Sequence, residues 1–182
     1  MSERGLVGWA TVELKEGVAL ADAEWAAIIA LCELAFAEDF SRSFAPFARS
    51  WHVLVHQDGV LVCHACWVER SLQPGGSPPL HTAYIEAVAT HPAWQRRGYG
   101  TLAMTRLAGE ITGYDLAALS PAAVDFYERL GWEGWRGPTA IRASSGLLPT
   151  PDEAIMILRL PRTPPLDLDA PISAEWRAGE VW

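Results

Sequence analysis

The sequence predicts an α/β protein, a mixed parallel and antiparallel sheet with helices, in a single domain of residues 1–182. Two observations predict it. Strand-like and helix-like segments alternate through the middle of the chain, and antiparallel hairpin patterns lie toward both ends. No repeat or linker divides the chain. Its 182 residues, 50% hydrophobic and 20% charged, are enough for one packed core.

Each element has its own signal. "GLVGWATVEL" reads as a first strand. "DAEWAAIIALCELAFAEDF" reads as a helix, with Asp22 as N-cap and apolar residues at Trp25, Ile28, Ile29, Cys32 and Phe36. In "WHVLVHQDGVLVCHACWVER" two β-rich runs flank Asp58-Gly59, which predicts a hairpin. "QPGGSPP" is a loop, "LHTAYIEAVAT" a further strand, and "HPAW" ends it. "RRGYGTLAMTRLAGEIT" opens a helix behind a glycine turn, and "YDLAAL" is a short buried strand. "SPAAVDFYERLG" predicts a helix capped by Ser120, with Pro121 at its first position and Gly131 past its end. "WEGWRGPTAIRA" and "AIMILRL" are strand-like, and "PRTPPLDLDAPIS" is a Pro-rich extended segment leading to the tail "EWRAGEVW". Two tryptophans in that tail would lose a large hydrophobic gain if left in water, so the tail is expected to dock.

The net charge of −8 argues against nucleic acid, which needs a basic surface. It suits a cationic small partner, though many enzymes are acidic simply for solubility. No apolar run is long enough to span a bilayer and "MSERGLVGW" lacks a signal-peptide core, so no membrane partner and a cytoplasmic location are expected. The cysteines are Cys32, Cys63 and Cys66, an odd number that argues against a disulfide framework. "CHAC" lies inside a strand, where residues three apart point to opposite faces, so Cys63 and Cys66 do not share a metal and none is expected.

The stretch that carries chemistry is "YIEAVATHPAWQRRGYGTLAM". A strand ends, a glycine turn follows and a helix begins. Unpaired N–H groups at a helix start make an anion site suited to a pyrophosphate. Gly98 and Gly100 let the backbone approach a ligand, and Gln95, Arg96 and Arg97 add donors and positive charge. By strand alternation Tyr84, Glu86, Val88 and Thr90 share one face. A carboxylate in an otherwise apolar strand is costly to bury without a use. The alternative is a Glu facing solvent at a sheet edge.

The spacing Gln95-x-x-Gly98-x-Gly100 between a strand and a helix resembles the acyl-CoA signature of the GCN5-related N-acetyltransferase superfamily. "FYERLGW" is similar to that superfamily's second motif. "AFAEDF", "YIEAVAT", "GWEGWRGPTAI", "PTPDE" and "WRAGEVW" resemble one subgroup, the aminoglycoside 2'-N-acetyltransferases, over nearly the whole chain. The resemblance implies a central mixed sheet splayed at a bulge, helices on both faces, and acetyl-CoA in the gap. Its acyl-CoA site would comprise Val88, Thr90, Gln95, Arg96, Arg97, Gly98, Tyr99, Gly100 and Thr101, and no metal.

It further implies that Glu86 acts through water as general base on the substrate ammonium, and that the Val88 N–H stabilises the oxyanion. Tyr127 would protonate the leaving thiolate, although by pattern alone it is a core tyrosine. The substrate ammonium groups would meet Asp39, Glu86, Ser120, Asp152, Glu153, Glu180 and the Trp182 carboxylate, any one of which could instead be a solvated surface group. Residues 161–182 would fold back toward this acceptor site, anchored by the indoles of Trp176 and Trp182.

One departure stands out. The family tends to place another acid after the "DF" of the first helix, whereas "SRSFAPFA" has none and adds Arg42. A smaller or less cationic aminoglycoside such as kasugamycin is the expectation that follows, with antibiotic resistance as the role. Competing readings are an acetyltransferase for another small amine or a protein N-terminus, and a non-catalytic CoA-binding sensor. A homodimer is compatible with the hydrophobic strands.

Overall fold

In the computed structural model, which describes residues 10–40, 49–178 and 182, strands β2 (Ser50–Gln57) and β3 (Val60–Pro74) pair antiparallel across Asp58-Gly59. Both turn residues have positive φ, 51° and 78°, the two-residue turn whose twist matches the flanking strands. The expected hairpin is therefore present. Strand β1 (Thr11–Glu16) pairs antiparallel with β2.

Helix α1 (Asp22–Phe36) buries Ile28, Leu31 and Cys32. Its cap differs from expectation. Ala21 is the N-cap and Asp22 the first helical residue, because Glu24 reaches back to accept from the Ala21 N–H at 3.0 Å. Asp22 then serves the positive end of the helix dipole.

Strand β4 (Leu80–Thr90) has the bounds its sequence predicts and leads through a short turn at Pro92–Trp94 into helix α2 (Tyr99–Glu110). These elements fall into two compact units, one of Met1–Val68 with Glu86–Glu110, the other of Glu69–Ile85 with Ile111–Trp182. β3 and β4 each contribute a part to both.

In the second unit β4 pairs in parallel with β5 (Leu116–Leu119) from Thr82 to Tyr84, and β5 pairs antiparallel with β9 (Met156–Arg159). The mixed sheet expected from the sequence is thus formed. Its strand order is β6–β9–β5–β4–β3–β10–β7–β8, where β6 is Glu133–Gly134, β7 Thr139–Ala143, β8 Gly146–Pro149 and β10 Ile172–Glu175. The core of this unit includes Tyr84, Leu116, Leu119, Ile155, Ile157 and Ile172, each almost fully buried. A side chain of this kind contributes about 1.5–3 kcal/mol when removed from water.

Two segments differ from the sequence expectation. Helix α3 is only Val124–Glu128, with Ala123 as N-cap, so Ser120 is not a cap and Pro121 is not helical. Ala123, at φ −147° and ψ 84°, breaks the helical path between Pro121 and Val124. The Pro-rich stretch after residue 160 delivers a strand, β10, which pairs in parallel with β7 and antiparallel with β3. Arg136 and Gly137 N–H both donate to Leu168 O at 2.9 Å, and a Cβ on Gly137 would lie 1.9 Å from Ala170 O. Only glycine fits there. Among the described residues no helix is long and apolar enough to cross a membrane.

Candidate active site

In the first unit the site is built on the end of β4. Ala87 has φ +50°, a left-handed conformation that a non-glycine residue adopts at a cost of about 1–2 kcal/mol. It marks the expected bulge, and it breaks the alternation that would put Tyr84, Glu86, Val88 and Thr90 on one face. Tyr84 is buried, while Glu86, Val88 and Thr90 are half-buried. Successive carbonyls at the bulge are taken by side chains of β3: Cys66 Sγ–H donates to Glu86 O at 3.3 Å and His64 Nδ1–H to Ala87 O at 2.8 Å.

The following loop is held by short-range bonds. Gln95 Nε2 donates to Thr90 O at 3.3 Å, Ala93 N–H to His91 Nδ1 at 3.1 Å, and the Arg97 guanidinium lies over the Trp94 ring at 5.0 Å. Arg96 and Gly98 have positive φ, 59° and 89°, so Gly98 is the residue this turn needs. Leu102 N–H bonds back to Gly98 O at 2.9 Å, tying the first turn of α2 to the loop. The amides at such a helix start lack intrahelical acceptors and carry the positive end of the dipole.

Gln95, Arg96, Arg97, Gly98 and Thr101 are exposed and Gly100 is half-buried. Tyr99 is buried and donates its hydroxyl to Gln57 Oε1 at 3.1 Å, so its side chain belongs to the core. Thr90 Oγ1 donates to Cys63 Sγ at 3.2 Å. Burial pushes the Cys63 thiol up to about 11 and the Cys32 thiol to about 12, which leaves both as poor nucleophiles.

The second unit carries the remaining predicted residues. Tyr127, on α3, is buried and packs edge-on against Phe126 and Trp132. Ser120, Asp152 and Glu153 are exposed there, as is Asp39 in the first unit. The Trp182 indole donates to Thr150 Oγ1 at 3.0 Å, two residues before Asp152. Trp176 does not anchor the tail as expected: it is 60% exposed, because the strand that precedes it is fixed by other contacts. Glu175 is that fixing point. It accepts from Arg70 Nε at 2.7 Å and from Ser71 N–H at 3.0 Å, and Arg70, buried, also donates to Glu175 O at 3.0 Å. Glu180 lies outside the described residues.

Sequence reading missed a further cluster. His52, His64 and Cys66 bring donor atoms within 4.8 Å of one another in the core of the first unit. The signal was present, since residues 64 and 66 share a face of β3, and His52 opposes Cys66 in the hairpin register.

Strand, kink, glycine turn and helix start thus follow one another directly after Glu86. The model of the acetyltransferase (GNAT) domain matches residues 18–134. The chain belongs to the GNAT acetyltransferase family. It is 35% identical to an aminoglycoside 2'-N-acetyltransferase of Mycolicibacterium fortuitum, over 81% of this chain and 80% of that one. An acyl-CoA N-acyltransferase of Pseudomonas aeruginosa shares the GNAT fold at a TM-score of 0.59 and 16% identity, over 82% of this chain and 99% of that one. Eis1 of Mycobacterium abscessus shares it at 0.56 and 19% identity over 71% of this chain, which spans only 32% of Eis1.

Proposed function

We propose that this GNAT protein transfers an acetyl group from acetyl-CoA to the 2'-amino group of an aminoglycoside. The observation that carries the reading is the 35% identity to an aminoglycoside 2'-N-acetyltransferase over four-fifths of both chains. The geometry supports it through the helix-start anion site after β4 and the half-buried Glu86 at its bulge.

In this reading the pyrophosphate of acetyl-CoA lies on the amides of residues 95–101. Glu86 takes a proton from the substrate ammonium through a water, and the freed amine attacks the thioester carbonyl. The new C–N bond leaves negative charge on oxygen, which the Val88 N–H stabilises. The intermediate collapses, the C–S bond breaks, and Tyr127 gives its proton to the thiolate. Nitrogen loses its second proton to solvent. The raised thiols of buried Cys32 and Cys63 favour this direct attack over an acetyl-enzyme.

Asp39, Ser120, Asp152, Glu153, Glu180 and the Trp182 carboxylate pair with the other ammonium groups. Residues 161–182 complete the single domain on the acceptor side, and the protein works in the cytoplasm as a resistance enzyme. The missing acid after Phe40 favours kasugamycin over more cationic aminoglycosides.

Thiol release from acetyl-CoA tests this with kasugamycin, tobramycin, gentamicin, spermidine and an N-terminal peptide as acceptors. Release is expected with aminoglycosides and strongest with kasugamycin. Release with the amine or peptide alone would make it a different acetyltransferase, and tight acetyl-CoA binding without release would make it a sensor.

A further inference from the structure

The His52–His64–Cys66 cluster can be resolved proton by proton. Ala87 O can only accept, so the His64 Nδ1 at 2.8 Å from it must carry a hydrogen. Neutral His64 then presents a lone pair at Nε2. His52 Nδ1 lies 2.9 Å away and must donate to it. His52 Nε2 is in turn an acceptor, and Ser50 Oγ–H donates to it at 2.7 Å. The result is one directed chain, Ser50 to His52 to His64 to the Ala87 carbonyl, with no proton left unassigned. Ser50, His52, His64 and Cys66 are all essentially inaccessible to water. Burial lowers His52 to about 3 and His64 to about 4, so both rings stay neutral and the chain keeps its direction at ordinary pH.

A metal ion is the other use of two imidazoles and a thiol at this spacing. The direct ring-to-ring hydrogen bond speaks against it, because ligation would need the His52 proton moved from Nδ1 to Nε2, reversing the Ser50 bond, and the Cys66 proton removed.

The end of the chain gives its purpose. Successive carbonyls of a regular strand point to opposite neighbours, so a ladder cannot serve Glu86 O and Ala87 O from one side. Cys66 and His64, two residues apart on β3, do serve both. They bond both carbonyls at a residue held in the left-handed region.

We propose that the buried relay Ser50–His52–His64, together with Cys66, holds the β4 bulge and thereby sets Glu86 and the Val88 N–H for acetyl transfer. His64 and Cys66 are positioning residues, and this rests on the roles given to Glu86 and Val88 above. Without the relay the half-buried Ala87 carbonyl loses its imidazole donor, and the bulge relaxes toward a regular strand.

The test compares His64→Leu with His64→Asn, whose side-chain amide sits near the position of Nδ1 and can still donate to Ala87 O. His64→Leu is expected to lower kcat about tenfold or more while the KM for acetyl-CoA changes less than about threefold, and His64→Asn to recover most of the loss. Equal losses in the two variants, or no loss in either, would overturn the proposal. Should His64→Leu fail to fold, nitrogen NMR of the wild-type imidazoles decides it. Neutral rings with the proton on Nδ1 of both His52 and His64 are expected; a proton on Nε2 of either breaks the chain and the proposal with it. Exchange of the Val88 amide in His64→Asn and wild type reports on the bulge without any turnover. A wild type that binds acetyl-CoA but transfers nothing would sink the catalytic roles, while the tautomers and exchange would still report on the relay.

Discussion

From Leu80 to Ile85, β4 is an ordinary buried strand, paired in register with β5 from Thr82 to Tyr84 and shielded from water at Thr82, Ala83, Tyr84 and Ile85. From Glu86 to Thr90 it is half-buried at all but Ala89, kinked at Ala87, and its carbonyls at 86 and 87 are held by side chains. Backbone pairing with β5 supports the first half, and in the second half side chains of β3 add their own bonds. A ladder tolerates almost any apolar side chain. A kink held by two side chains does not. The chemistry proposed for this strand is assigned to its kinked half.

Changes at Glu86 cut deepest into that contrast. Glu86→Gln is expected to lower kcat by about 10²–10³ at neutral pH, the usual contribution of a general base, with acetyl-CoA binding unchanged by calorimetry. An apolar change in the first half, such as Ile85→Val, is expected to touch stability by only about 1 kcal/mol and leave kcat alone. Removal of residues 180–182 takes away the Trp182–Thr150 bond and shifts the chain's terminal carboxylate from Trp182 back to Gly179. It is expected to raise the aminoglycoside KM about tenfold and leave acetyl-CoA binding intact. If both ligands bind as before, the tail is packing only. Tyr127→Phe is expected to slow turnover by about three- to tenfold and not abolish it, since a thiolate of pKa near 8.5 leaves well unaided.

A separate effect, absent at neutral pH, is on stability against pH. His52 and His64 titrate at about 3 and about 4 when folded but at 6.5 in an unpaired state. Between those values the unfolded chain binds protons that the folded chain does not, so stability is full above about pH 6.5 and falls toward pH 4. Thermal midpoints measured across that window should fall in the wild type and fall less in His64→Asn. An identical slope in both would mean that His64 is not held neutral.

Much of this was legible from local sequence. The Asp58-Gly59 turn, the bounds of β4 and the start of α2 at Tyr99 depend on residues only a few positions apart. What escaped depends on distant partners. Arg70 and Glu175 are 105 residues apart, and that pair with Gly137 under Ala170 is what makes a Pro-rich stretch end in strand β10. The Ser120-Pro121 pair has the chemistry of a helix start, yet the helix begins at Val124 because Ala123 leaves the helical path. The motif sets Cys66 beside Cys63 in sequence, whereas in space it lies near His52 and His64 and bonds to the β4 bulge. Tyr99 carries a motif position but points into the core toward Gln57.

The central claim is the transfer of acetyl to one particular amine. Incubating the protein with acetyl-CoA and kasugamycin, then locating the acetyl group by NMR of the purified product, tests it most directly. One acetyl group on the 2'-nitrogen is the predicted result. An acetyl group on another nitrogen, or an unmodified aminoglycoside beside intact acetyl-CoA, would contradict it.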